Sequence, residues 1–555
     1  MATDNADVIV IGAGLAGLVA ANELADAGRR VLILDQEGEN SLGGQAFWSL
    51  GGLFMVDTPE QRRLGVKDSH ALAWSDWLGA AQFDRPEDDW PRKTAEAYVD
   101  FASGEMRPWL KSLGMSWLPM VGWAERGGGH AHGHGNSVPR FHITWGAGPG
   151  VVEPFEKRVR AHAEAGRIEF AFRSRVVDLI MENGVVVGCR GETLAPDKVA
   201  RGEKSNRDVI GAFEYRAAAT LISSGGIGGN FQLFREAWPE DQLGPAPANL
   251  ISGVPDHVDG LMIGHAERAG VQVINRDRLW CYTEGVRNWD PIWPAHGIRI
   301  LPGPSPMWFD AAGERMEAPY LPGYDTRGTL KRILKTGFEH SWFIMSEKMA
   351  GKEIALSGSE QNPDWSSKSV RMTLAHRLGG KGTPAVRAFL EKGPDFVVKD
   401  TLEDLVTGMN KLTNAPALDV NHIRRQIEAR DLQIDNPYSK DAQVMAIHNA
   451  RKFRSDRLVR VAKPHKLLDG SGGKLVGIKL NVLTRKTLGG LHTDLEGRAL
   501  NAGGAEIPGL FAAGEASGFG GGGYHGYNGL EGTFLGGCIF SGRAAGRAID
   551  AAVAG

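Results

Sequence analysis

The residues Gly12-Ala13-Gly14-Leu15-Ala16-Gly17 carry the most plainly marked chemistry in this chain. A glycine at the first of these spacings permits a tight turn. The second lets backbone approach a pyrophosphate, and the third lets a helix pack closely on a strand. The flanking sequence fits that use. Asp7-Val8-Ile9-Val10-Ile11 reads as a short buried parallel strand. Residues 15–27, rich in Ala and Leu, read as a helix with Gly28 at its C-terminal end, and residues 31–34 as a second strand ended by Asp35. The helix N-terminus offers free N–H groups and its positive dipole end to phosphates. A carboxylate at position 35 can accept from ribose hydroxyls and disfavours a 2′-phosphate, which argues against NADP here.

Glycine recurs in four further patches and reaches 75 of 555 residues. Gly43-Gly44-Gln45-Ala46 through Gly51-Gly52 suits backbone lying flat against a large planar ligand. Residues 219–230 read as a strand running into a Gly-rich turn at Ser224-Gly225. The fourth patch is Leu488-Gly489-Gly490-Leu491-His492-Thr493-Asp494, and the fifth runs from Pro508 through Gly514-Glu515 to Gly529, followed by a helix over 533–551. There is no Gly-X-Y period, so a collagen-like chain is excluded. Between residues 275 and 435 the patches vanish and Pro and Trp rise. Polar helices are predicted there over 328–348, 395–412 and 420–429, as in a separate domain inserted into the first.

The 63 Lys+Arg against 66 Asp+Glu give a formal charge of -3, which argues against an electrostatic nucleic-acid binder. No apolar run is long enough to span a bilayer. The N-terminus enters a strand-like run without a basic region, so no secretory signal is expected and the cytoplasm is the expected location. Cys189, Cys281 and Cys538 lie far apart with no CxxC, against a disulfide framework or an iron–sulfur centre. His130, His132 and His134 sit in a Gly-rich stretch with no adjoining carboxylate; they read as a loop near the site's mouth, with no resident metal.

Taken in order, the five patches resemble the flavoprotein family of fumarate reductases, succinate dehydrogenases and 3-ketosteroid dehydrogenases, over nearly the whole chain. The resemblance implies an α/β fold: a discontinuous Rossmann-like FAD-binding domain with an inserted α+β capping domain that closes over the flavin and excludes water. The boundaries expected are 1–274 and 436–555 for the FAD-binding domain and 275–435 for the cap. Gly12, Gly14, Leu15, Ala16, Asp35 and Gln36 would hold the ADP part, with Val177, Ser224 and Gly225 nearby. Gly43, Gly44, Gln45, Ala46 and Gly52 would line the flavin. Gly514, Glu515, Asn528, Thr533, Phe534 and Leu535 would meet the ribityl chain and the pyrimidine edge. The histidine that carries flavin covalently in succinate dehydrogenases is Gln45 here, so FAD is expected to be bound without a covalent link.

Family members transfer hydride between flavin N5 and a carbon next to an electron-withdrawing group, while an acid or base handles a proton on the neighbouring carbon. A dicarboxylate calls for arginine forks and a ketone for a tyrosine hydroxyl or backbone N–H. The family's dicarboxylate-gripping Arg matches Gly529, and its catalytic His before T-x-G-G is replaced by Arg485-Lys486, which disfavours fumarate. The late segment Tyr524-His525-Gly526-Tyr527-Asn528 keeps the Tyr that polarises the keto group in ketosteroid dehydrogenases. The expected reaction is dehydrogenation of a 3-ketosteroid or similar bulky ketone. Tyr524 would polarise the carbonyl, Tyr527 or His525 would take the proton, and Arg299 and His142 are reserve acid/base groups. In the cap, Tyr282 and Arg299 merit testing, while Trp280 and Trp293 read as cap core. The alternatives are an enoate reductase using Arg299 and Arg485, and a flavin-bearing subunit that only passes electrons to a partner. The natural electron acceptor is not specified by the sequence.

Overall fold

The computed structural model describes residues 6–123, 135–377 and 382–554. Strand Val8–Ile11 is buried along its whole length, which suits a parallel strand covered on both faces. It lies at the centre of a six-stranded sheet ordered Arg498–Leu500, Glu506–Ala512, Ala219–Ile222, Val8–Ile11, Val31–Asp35, Ile168–Phe172. All neighbours are parallel except the Arg498–Leu500 edge. Helix Leu15–Asp26 follows the first strand, and Gly28 beyond its end takes a left-handed φ of +91°. This helix packs on the final helix, Thr533–Ala554, through small residues. A Cβ on Gly542 would sit 2.4 Å from the Ala16 carbonyl oxygen, and one on Gly546 2.9 Å from that of Ala20.

A second sheet is built around the long strand Leu475–Thr487. It pairs with His340–Ser346, Leu279–Arg287, Phe396–Lys399 and Ile251–Ser252, while Met307–Asp310, Gly297–Leu301 and Ala355–Leu356 extend it outward. The cap therefore does not end at residue 435. Its sheet is completed by the strand ending at Thr487, and the chain rejoins the first sheet only at Arg498. The expected boundary followed composition, and this strand lies outside the Trp- and Pro-rich stretch although three of its four partners lie within it.

The helix expected over 328–348 is broken. It is helix Thr326–Leu334, strand His340–Ser346 and helix Glu347–Glu353. All of His340–Ser346 is buried, and a run apolar on both sides belongs in a sheet covered on both faces. Likewise 395–412 divides into strand Phe396–Lys399 and helix Leu402–Asn410, whereas 420–429 lies within helix Val420–Asp431. A small antiparallel sheet of Gly52–Phe54, Phe141–Thr144 and Trp117–Gly122 adjoins the second Gly patch. No helix among the described residues is long and apolar enough to cross a membrane. His130, His132 and His134 lie outside the described residues.

Candidate active site

One large cavity lies between the C-terminal ends of the parallel strands and the underside of the cap sheet. Ligands in open α/β sheets bind at this strand end. Its empty space, counted with the open mouth, is about 1710 Å³.

The Gly12–Gly17 turn forms one wall. A Cβ on Gly17 would be 2.2 Å from the Gly12 carbonyl oxygen, and one on Gly12 (φ +105°) 2.7 Å from that of Ser223. Gly14 differs: a Cβ there would make only an ordinary van der Waals contact, 3.8 Å from the Ser223 carbonyl oxygen, so there is room beside it at the cavity wall. The helix that starts there has no side-chain cap and no acid in its first turn. Its unsatisfied N–H groups at a cavity wall suit a pyrophosphate. Asp35 anchors the turn, accepting from the amides of Ala13 and Glu37, each at 2.8 Å; burial pushes its carboxyl up. Gly43 joins the same wall, its N–H donating to the Ala13 carbonyl at 2.9 Å.

Further along, Gln45 donates to Glu515 at 2.9 Å and accepts from Lys486 at 2.5 Å. Lys486 also reaches Glu515 at 3.3 Å. Burial pulls the Lys486 ammonium down, against the pull of Glu515. Beside this network the N-terminus of the final helix meets the cavity through Gly532, Phe534 and Leu535, again with no acid in its first turn. Two helix N-termini, an exposed glycine face and a buried lysine form a donor set that fits an anionic dinucleotide and an electron-rich ring edge.

The cap supplies the roof. Tyr282 donates its hydroxyl to Glu531 Oε1 at 2.8 Å, and Arg299 Nη1 donates to the same oxygen at 2.5 Å. The Arg299 guanidinium lies 3.7 Å from the Tyr282 ring centroid, and its Nε is 3.9 Å from Glu284. The Arg299 backbone is fixed to Ser357 by bonds of 3.0 and 2.9 Å. Burial raises the Tyr282 hydroxyl well above the usual phenol range, the Glu531 charge adding to it. Burial also raises Glu284, against the Arg299 charge. Around this cluster the lining is apolar, with Leu50, Phe141, Leu301 and Leu483.

Of the expected cofactor residues, Gly12, Gly14, Leu15, Ala16, Asp35, Gln36, Gly43, Gly44, Gln45, Ala46, Gly52, Ser224, Gly225, Gly514, Glu515, Phe534 and Leu535 all line this cavity. Val177 does not. Its strand neighbour Val176 does, because alternate residues of a strand face opposite sides. Asn528 and Thr533 are also behind the wall. Asn528 donates to the Ala80 carbonyl at 2.7 Å, and Thr533 Oγ1 bonds the Leu530 carbonyl.

Among the expected catalytic residues only Arg299 lines the cavity. Tyr524 is fully buried and donates to the Thr533 carbonyl at 2.5 Å, packed among Trp77, Tyr98 and Phe519. His525 bonds Thr533 Oγ1 at 2.7 Å, and burial holds its imidazole well below the usual range. Tyr527 donates to Asp84 at 3.3 Å, and its ring is surrounded by Arg85, Arg278 and Arg327. His142 donates from Nδ1 to the Arg140 carbonyl and accepts at Nε2 from Thr58, both at 2.7 Å; burial lowers it to about 4. All four sit behind the cavity wall with a polar atom engaged there, although His525 Nδ1 is buried without a partner. Glu531 and Lys486 had no assigned role in the sequence reading. Glu531 was hidden in a Gly-rich segment, two residues past the lost arginine position.

The architecture and site define a class. The FAD binding domain family model matches residues 7–535, and the chain belongs to that family; it is an FAD-dependent oxidoreductase. Among its relatives, a KsdD-like steroid dehydrogenase of Mycobacterium tuberculosis is 56% identical over 542 residues, covering 98% of this chain and 95% of that protein. One from Mycolicibacterium smegmatis is 57% identical over 531 residues, covering 96% of each. The fold is shared with 3-ketosteroid delta1-dehydrogenase from Sterolibacterium denitrificans (TM-score 0.66, 16% identity, 99% of this chain and 100% of that one). It is shared also with the open conformation of a flavocytochrome c3 fumarate reductase (TM-score 0.64, 19% identity, 100% of this chain and 79% of that one).

Proposed function

We propose that the chain dehydrogenates the C–C bond next to the carbonyl of a 3-ketosteroid or similarly bulky cyclic ketone. The observation that carries this is the Tyr282–Glu531–Arg299 cluster on an apolar roof. When bound, FAD supplies the two-electron acceptor. Tyr282 takes the proton from the carbon beside the carbonyl. Its burial disfavours a resting phenolate, so it acts as a base only by passing its own proton to Glu531 as it accepts one. Arg299 fixes both partners by its bond to Glu531 and its stacking on the Tyr282 ring.

The ketone is favoured over a dicarboxylate because the cavity's arginines are already engaged. Arg175 is held by Glu192, Arg299 by Glu531 and Arg485 by the Gly253 carbonyl. The steroid class is supported by the names of the relatives that cover almost the whole chain. FAD is held without a covalent link, since Gln45 stands at the position of the linking histidine and its amide is engaged by Glu515 and Lys486.

Re-oxidation of the chemically reduced holoprotein tests the choice of substrate. Mixed anaerobically with an unsaturated 3-ketosteroid, the flavin should re-oxidise; mixed with fumarate, it should stay reduced. Rapid re-oxidation by fumarate with no response to ketosteroids would overturn the assignment.

A further inference from the structure

Four large apolar side chains, Leu432, Tyr438, Met445 and Leu458, stand exposed at 83%, 90%, 49% and 57%. All four belong to one stretch of the cap. It comprises the end of helix Val420–Asp431, helix Ala442–Ala450 and helix Arg454–Val459. A private core of Ile434, Val444, Ile447, Ala450 and Val461 holds the stretch together. His448 bonds the Ile434 carbonyl at 3.0 Å and Arg451 the Val461 carbonyl at 2.7 Å. The exposed apolar residues are the outward positions of this unit.

Its charge is one-sided. Lys440, Lys452, Arg454, Arg457 and Lys463 are exposed, against two exposed acids, Glu428 and Asp435, in a chain whose overall charge is -3. Leu, Tyr and Met exposed beside lysines and arginines match the composition of a segment lying in a membrane interface. There the apolar groups enter the acyl boundary and the cations meet anionic headgroups. The unit also adjoins the cavity. Helix Arg454–Val459 packs on strand Trp117–Gly122, and Arg460 donates to the carbonyl of the cavity residue Leu301 at 3.0 Å.

We propose that this face docks the cap on the surface of an anionic lipid bilayer, beside the wall of the active-site cavity. An apolar substrate dissolved in the bilayer would then meet the enzyme at the membrane. The proposal rests on surface residues and does not depend on which ketone is oxidised.

Flotation of the FAD-loaded full chain with two kinds of vesicle tests it: phosphatidylcholine alone, and phosphatidylcholine mixed with phosphatidylglycerol. The wild type should float with the anionic vesicles and much less with the neutral ones. Lys452→Glu, Arg454→Glu and Arg457→Glu together should weaken that binding by about tenfold or more. Leu432→Ser with Tyr438→Ser should weaken binding to both vesicles. The flavin spectrum reports that each variant is folded. Failure of the wild type to float with either vesicle would overturn the proposal, including a case in which the same face captures an acidic protein. Equal flotation of the wild type and the charge-reversed variant would overturn it too. A protein that floats as expected but ignores ketosteroids would leave the docking intact and remove only the substrate assignment.

Discussion

Replacing Tyr282 by Phe removes one oxygen and leaves the rest of the roof in place. Arg299 still donates to Glu531 at 2.5 Å, so no buried charge is stranded, and the ring still packs under the guanidinium. If Tyr282 takes the substrate proton, the substitution deletes general-base catalysis, which contributes about 10²–10⁴-fold. That is about 3–5 kcal/mol of barrier. The assay is anaerobic stopped-flow bleaching of the flavin by a saturated 3-ketosteroid, with rate measured against concentration. The limiting rate should fall by at least about a hundredfold, while half-saturation changes little, because the lost group acts on the transition state. Glu531→Gln should slow the same step but also destabilise the protein, since it leaves Arg299 buried without its closest carboxylate. A limiting rate for Tyr282→Phe close to that of the wild type would refute the proton relay.

Other outcomes follow from the same geometry. Gly14→Val should fold, since a Cβ there would meet only the Ser223 carbonyl oxygen, at 3.8 Å, but should purify without flavin because the side chain fills the wall. A visible spectrum and a thermal melt of the apoprotein check both parts. Tyr524→Phe should keep its activity within a few-fold and lose about 0.5–1.5 kcal/mol of stability, the net worth of the one buried bond it removes. Denaturant titration together with turnover separates the two effects. His142 has a folded pKa of about 4 against 6.5 unfolded, so the unfolded chain binds more protons between those values. Its neutral form therefore stabilises the protein at neutral pH by an amount lost as pH falls through that window, up to about 3 kcal/mol. Melting temperatures of the wild type and His142→Asn should accordingly draw together as pH drops from about 7 to about 5.

The cofactor end of the site was legible in the sequence because its chemistry is local. A strand, a glycine turn and a helix N-terminus are contiguous, and each glycine can be given its reason before any contact is known. The same patches gave the parallel sheet. The catalytic end was not legible, because it joins three distant segments. Tyr282 and Arg299 come from neighbouring cap strands and Glu531 from the turn before the last helix. Nothing in the spacing of those residues brings them together. Tyr524 drew attention because it stands in a glycine-rich segment beside His525 and Tyr527. Yet glycines also let backbone bury itself, and that segment closes in on an aromatic core. Val177 was misplaced by one residue, which in a strand is the difference between facing the cavity and facing away. The cap boundary was missed because strand Leu475–Thr487 finds its partners between Ile251 and Lys399.

The most direct measurement is the anaerobic visible spectrum of the purified FAD-loaded protein before and after adding a saturated 3-ketosteroid. Loss of the oxidised-flavin band, with formation of the corresponding unsaturated ketone, is the predicted result. An oxidised band that persists with every ketosteroid, in a protein that is nevertheless bleached by a chemical reductant, would contradict the ketone dehydrogenase assignment while leaving the flavoprotein fold in place.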